Sequence, residues 1–195
     1  LEEDPHIKLT KEHLQFLKIY QADNFLKWGK KELAAEVLEE AFTYNKNRKT
    51  KSRIAYLRGQ ILAGLNKKEE ARESFAAAYK YANSYEFEVK SQIEIAKTFD
   101  GKADSYDEAM AYLAKIAKKG TYASRKNELY YASGLVATSA AKDSIAVFFF
   151  RKALKEKQSD PQIRGLTYSE IAKKYFAKDD YLTAGVYYDS ALAVM

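Results

Sequence analysis

The chain has 195 residues, 47% of them hydrophobic and 31% charged, with 8 Gly, 2 Pro and no Cys. That length suits one sizeable domain or a short repeat array, and so little Gly and Pro excludes a collagen-like, disordered or turn-rich all-β chain. The net charge of +6 comes from 33 Lys+Arg interleaved with 27 Asp+Glu, the mark of a solvated helical surface, and the missing cysteines exclude disulfides, thiolate metal sites and a cysteine nucleophile.

Helical period dominates from the first fifty residues onward. Glu32-Leu33-Ala34-Ala35-Glu36-Val37-Leu38-Glu39-Glu40-Ala41 sets apolar residues three and four apart, as one face of an α-helix requires. In chain order, breaks fall near Trp28-Gly29, Asn45-Lys46-Asn47, Gly64-Leu65-Asn66, Asn83-Ser84, Asp100-Gly101, Gly120-Thr121, Ser159-Asp160-Pro161 and Lys178-Asp179. They divide the chain into about ten helices with short loops, and an all-α fold is expected. No apolar run approaches the ~20 residues that a membrane-spanning helix needs.

A second pattern overlies the helical one. A small residue is followed twelve positions on by another, four later by a bulky one and three later by a small one. Ala22, Ala34, Leu38 and Ala41 fit. So do Gly59, Ala71, Phe75 and Ala78; Gly134, Ala146, Phe150 and Ala153; and Ala172, Ala184, Tyr188 and Ala191. A looser copy, Ala96, Ala109, Leu113 and Ile116, carries one extra residue around Asp100-Gly101. The first members, at 22, 59, 96, 134 and 172, are 37, 37, 38 and 38 residues apart.

The spacing has a direct physical reading. Paired helices approach to roughly 8–10 Å between axes only where facing residues are small, and a bulky neighbour fills the groove beside them. Gly29, Asn66 and Asp179 fall where the first helix of a pair must end in a left-handed conformation, and Ala141 holds that place in the fourth copy. The expected organisation is a lead-in over residues 1–14 and a repeat domain over 15–195. Its five hairpins run over 15–51, 52–88, 89–126, 127–164 and 165–195.

These residues resemble the tetratricopeptide repeat, a helix–turn–helix unit of about 34 residues. Tyr168, Ile171, Ala172 and Tyr175 carry the family's first-helix pattern best, while its early Trp is missing throughout. The resemblance implies a right-handed superhelical solenoid that docks other proteins. More narrowly, Asp179-Asp180-Tyr181-Leu182-Thr183-Ala184-Gly185-Val186-Tyr187-Tyr188-Asp189-Ser190 and Arg53-Ile54-Ala55-Tyr56-Leu57-Arg58-Gly59-Gln60 resemble the repeat region of the PorW/SprE lipoproteins. That likeness implies a periplasmic repeat domain at the outer membrane, serving type IX secretion and gliding motility within a longer chain. Any lipid anchor would then lie outside this segment.

No catalytic constellation stands out. His6 and His13 are too few for a metal site and read as surface or capping residues. Neighbouring carboxylates such as Glu39-Glu40 and Asp179-Asp180 point about 100° apart on a helix, so they read as solvated faces. No Gly-rich phosphate loop is present. The expected protein is non-catalytic, with no cofactor, no metal and no small-molecule substrate.

By repeat phase the inner face of the solenoid is lined by the first helix of each hairpin. Its candidates begin with Phe16, Ile19, Asp23, Tyr56 and Gln60. Lys90, Ile93 and Lys97 follow, then Tyr131, Leu135, Ser169 and Lys173. Aromatic, aliphatic and cationic groups in such a strip suit an extended peptide or a partner helix. Ile19 and Asp23 stand where a carboxylate clamp for chaperone tails would need Lys and Asn, so that subtype is rejected.

The densest basic run, Lys46, Arg48, Lys49, Lys51 and Arg53, reads as a solvated loop between the first two hairpins. The competing reading is a contact for nucleic acid or another acidic partner. Phe148 is expected to be exposed, and Phe149 to pack on the next repeat. The last helix, Tyr181 to Met195, is too apolar for a solvent-facing cap, so this face is expected to meet more chain, a partner or another copy.

Overall fold

The computed structural model describes residues 9–99, 103–157 and 160–195. His6 and the insertion at Asp100-Gly101 lie outside them. The described residues form α1 (Lys11–Lys27), α2 (Lys31–Tyr44), α3 (Arg48–Gly64), α4 (Lys68–Tyr81) and α5 (Tyr85–Lys97). These are followed by α6 (Ala103–Ala117), a 3₁₀ turn (Gly120–Arg125), α7 (Lys126–Ser139), α8 (Asp143–Lys155), α9 (Pro161–Phe176) and α10 (Tyr181–Val194). No strand occurs among the described residues, and the fold is a helical-repeat solenoid. The chain divides into two compact units, Leu1–Thr98 and Phe99–Met195. In the first, the hairpins α1–α2 and α3–α4 stack through α2 and α3, and α5 packs on α4. In the second, α6 packs on α7, and the hairpins α7–α8 and α9–α10 stack through α8 and α9.

Capping chemistry sets where the first helices begin. Thr10 and His13 form a capping box: the Thr10 Oγ1 accepts from the His13 N–H at 3.3 Å, and the Thr10 N–H donates to His13 Nδ1 at 3.4 Å. Asn47, Ser84 and Asp160 accept from the N–H groups of Thr50, Phe87 and Gln162. These caps start the helices at Lys11, Arg48, Tyr85 and Pro161, about one turn ahead of the hairpin divisions read from the sequence at 15, 52, 89 and 165. The first turns of α1 and α3 begin with exposed residues that carry no apolar pattern, whereas Phe87 in the first turn of α5 is partly buried.

The turns inside the hairpins are alike in four cases. Gly29, Asn66, Ala141 and Asp179 have φ of 71°, 61°, 56° and 61°. The next residue's N–H reaches back to the carbonyl of Phe25, Leu62, Ala137 or Tyr175, at 2.8–3.1 Å. This is the Schellman closure, and it satisfies carbonyls that the helix end would leave bare. Ala141 adopts the left-handed conformation with a Cβ and without the local hydrogen bonding of Asn or Asp.

The hairpins α3–α4 and α7–α8 are locked where the small residue meets the bulky one. A Cβ on Gly59 would come within 2.7 Å of the Phe75 ring, and one on Gly134 would overlap the Phe150 ring. Both rings are fully buried, with Ala71, Ala78, Ala146 and Ala153 around them. Where the first member is Ala22, the bulky residue is the smaller Leu38. Volume is therefore traded across the hairpin, so that the sum stays near what close packing allows. Polar ties supplement the apolar lock. Ser52 donates to the Ala78 carbonyl at 2.6 Å, and Lys18 pairs with Glu40 at 3.0 Å.

Two packing expectations need correction. Tyr188, read as core, is 37% exposed. Its counterparts Leu38, Phe75 and Phe150 sit in helices flanked by a following first helix, whereas α10 packs on α9. Phe149 faces Tyr130 of its own hairpin, with ring centroids 6.5 Å apart, and not the next repeat. Phe148 is exposed, as are Leu182, Val186, Leu192 and Met195 along α10.

Two variants test these locks. Ala141→Gly should raise stability by about 0.5–1 kcal/mol, because relief of the left-handed Cβ outweighs the added chain entropy; a thermal melt reads it. Gly134→Ala should destabilise by about 1–2 kcal/mol, since overpacking against Phe150 exceeds the ~1 kcal/mol helix-propensity gain. Adding Phe150→Leu should recover about 1 kcal/mol of that loss relative to the sum of the single changes. Strict additivity in the double-mutant cycle would refute the contact.

Candidate functional site

The strip positions all lie on first helices, and packing uses several of them. Tyr56 meets Phe75 edge-on at 5.5 Å and Phe87 at 5.0 Å, while Tyr131 lies 5.9 Å from Phe150. These tyrosines cover the bulky residue of their own hairpin. Burial pushes the Tyr56 phenol above its ordinary value, and the charge of Glu94 adds to the effect. Ile19, Ile93, Leu135 and Ser169 are half-buried, whereas Phe16 and Gln60 are exposed. Each charged member is matched on its own helix. Asp23 pairs with Lys27, Lys90 with Glu86, Lys97 with Glu94 and Lys173 with Glu170, at 2.6–2.7 Å. The hydrogen bond to Glu170 raises the ammonium pKa of Lys173.

The basic run is not a loop. Lys46 lies in the α2–α3 connection, but Asn47 caps α3, and Arg48, Lys49, Lys51 and Arg53 occupy its first two turns. Cations at a helix N-terminus are repelled by the macrodipole. Aromatic faces offset that repulsion here. Lys51 Nζ lies 4.5 Å from the Phe42 ring and 5.1 Å from Tyr81, and the Arg48 guanidinium lies 5.4 Å from Tyr81. Arg48 also donates to the Lys80 carbonyl at 2.8 Å. Lys46, Arg48, Lys49 and Arg53 are exposed, and Lys51 is half-buried.

A cleft recurs between the second helix of one hairpin and both helices of the next. In the first unit it lies among α2, α3 and α4, has a volume of about 260 Å³ and is lined by Glu39, Phe42, Ala55, Arg58, Glu73, Ser74 and Ala77. The Arg58 side chain occupies it. Its guanidinium donates to Glu39 at 2.8 Å, to the Ser74 hydroxyl at 2.5 Å and to the Ala35 carbonyl at 3.3 Å. The same cleft in the second unit lies among α6, α7 and α8. The offset from Gly59 to Gly134 carries six of those residues to Ala114, Ala117, Tyr130, Ser133, Phe149 and Lys152, which line the second cleft, and carries Glu73 to Phe148, which does not.

Two of these replacements empty the second cleft. Ser133 stands for Arg58 and Ala117 for Phe42, and the volume reaches about 700 Å³. Leu113 and Leu129 are buried in its floor, and Met110, Tyr130 and Phe149 form its walls. Lys118, Lys126 and Lys152 stand around it, and no Asp or Glu lines it. Lys152 Nζ is held 4.4 Å from the Tyr130 ring. Among the described residues none of the three lysines is in an ion pair, and Glu128 is taken by Arg125 at 2.5 Å. The sequence reading missed this cleft; the signal for it is the loss of bulk at positions 117 and 133.

Among the described residues no group of three or more His, Cys, Asp or Glu could hold a metal ion, and no helix is long and apolar enough to cross a membrane. No protein-family model and no curated protein matches the chain. Solved structures do. MamA 41-end from Desulfovibrio magneticus RS-1 is 19% identical, with a TM-score of 0.53 over 93% of this chain and 94% of that one. BtubC from P. vanneervenii is 19% identical, with a TM-score of 0.58 over 94% and 78%. Pseudomonas aeruginosa PilF is 17% identical, with a TM-score of 0.56 over 95% and 78%. The likeness is one of fold, that of a tetratricopeptide-like helical repeat.

The raised Tyr56 phenol gives a pH test of its packing role. The folded state keeps a proton that the unfolded state releases above about pH 10, so stability should fall as pH rises past that value. Tyr56→Phe should make the loss of melting temperature between about pH 9 and pH 11 smaller than in the parent. An unchanged pH dependence would refute burial as the cause.

Proposed function

We propose that this chain is a non-catalytic scaffold that docks other proteins. The observation that carries this reading is where the chemistry goes. The charged members of the first-helix strip are matched within their own helices, Gly59 and Gly134 are spent on closing hairpins, and the surface offers an apolar cleft edged by lysines that form no ion pair among the described residues. Such a surface binds by shape and by a few anchoring contacts.

Within that reading, the domain belongs to an outer-membrane lipoprotein on the periplasmic side, where it serves type IX secretion and gliding motility. Support comes from the resemblance of the Asp179–Ser190 and Arg53–Gln60 segments to the PorW/SprE repeat region. Its partners are then components of a secretion and motility complex. The rival reading, an adaptor for nucleic acid through the basic surface, loses support because Arg48 and Lys51 are directed into aromatic rings.

Affinity capture from the native cell envelope tests the proposal. Recovery of envelope secretion proteins, retained at raised salt, is the expected outcome. Recovery of ribosomal or nucleic-acid complexes, with a log-linear loss of binding against salt, would overturn it.

A further inference from the structure

We infer that the cleft among α6, α7 and α8 is a docking site for an acidic amphipathic protein segment, one that seats bulky apolar side chains on the floor and sets carboxylates against Lys118, Lys126 and Lys152. This rests on the scaffold reading and names the class of partner.

Charge complementarity decides the occupant. The cleft has cations at its edge, none in an ion pair among the described residues, and no carboxylate in its lining. In the first unit the equivalent cleft supplies its own ligand: Arg58 enters it and Glu39 neutralises the charge. The second unit has lost that internal occupant at Ser133 and that carboxylate at Ala114, and has gained Lys152 in place of Ala77. The charge that an occupant must bring is therefore reversed.

The space and its polarity set the rest. A volume of about 700 Å³ over Leu113, Leu129, Tyr130 and Phe149 takes more than one large apolar side chain. Helix-in-groove docking has this form, with anchors on one face and charge on the flanks. A nucleic-acid strand is disfavoured, because its backbone needs an extended cationic track and the three lysines here stand around one compact cleft.

The bulk at the emptied positions indicates how to close the cleft. Four residues after the bulky core residue, the five copies carry Phe42, Tyr79, Ala117, Leu154 and Leu192. Ala117→Leu therefore restores what its counterparts hold and should refill the cleft without loss of fold.

The test uses a fluorescein-labelled helical peptide of about fifteen residues, with leucine and phenylalanine on one face and glutamate on the rest. Fluorescence anisotropy should show saturable binding to the whole chain. Ala117→Leu should weaken it about tenfold with an unchanged or raised melting temperature. Lys118→Gln with Lys152→Gln should weaken it and flatten its salt dependence, whereas Lys46→Gln with Lys49→Gln, which removes the same charge elsewhere, should not. Equal binding by all variants, equal binding of a peptide with lysine in place of glutamate, or displacement by oligothymidylate at lower concentration would each overturn the inference. Envelope capture run with Ala117→Leu separates the two levels. If the same proteins are recovered while the peptide never binds, the cleft assignment fails and the scaffold reading stands.

Discussion

The structure depends on the closeness of two helices. In the hairpins α3–α4 and α7–α8 a glycine faces the flank of a buried Phe, and the fit is tight enough that one added carbon at Gly59 or Gly134 has no room. Dispersion falls off steeply with separation, so this approach decides how much attraction the hairpin gathers. Most of the rest follows. The left-handed turn has to close the helix end within two residues, because a longer connection would let the small and bulky residues slide past each other. The flanking alanines at 71, 78, 146 and 153 keep the second helix low against the first.

With the interior committed in this way, individuality is left to the joints between hairpins. The joint among α2, α3 and α4 is bridged by an arginine that satisfies a carboxylate, a hydroxyl and a carbonyl at once. The joint among α6, α7 and α8 uses rings and aliphatic side chains, and stays open. One architecture thus presents a braced surface in one unit and a receptive one in the other, without any change in the lock beneath. The aromatic seat of Lys51 and Arg48 at the start of α3 is a local solution of the same kind, in which quadrupoles on Phe42 and Tyr81 answer charges that the helix end repels.

How legible this was depended on the physics behind each feature. The turns at Gly29, Asn66, Ala141 and Asp179 were readable because a left-handed residue at a fixed offset is a local demand, and local demands write themselves into sequence. The Gly134–Phe150 lock was readable because it recurs at constant phase. The basic run misled because one capping residue, Asn47, converts a hydrophilic stretch into helix, and charge alone does not report that. Tyr188 misled because its pattern is that of the core, while the covering neighbour that buries Phe75 and Phe150 is a tertiary matter. The cleft went unseen because it is made by missing bulk at Ala117 and Ser133, and periodicity detects what returns more easily than what fails to return.

The two joints should also feel their surroundings differently. An arginine–carboxylate clasp weakens as mobile ions crowd around it, even when partly sheltered. Contact between rings and aliphatic side chains tightens in solutions of strongly hydrated anions such as sulfate. A single solute could therefore loosen the Arg58 seam while cinching the one beside Phe149, giving one continuous polypeptide two opposite mechanical responses to the same medium.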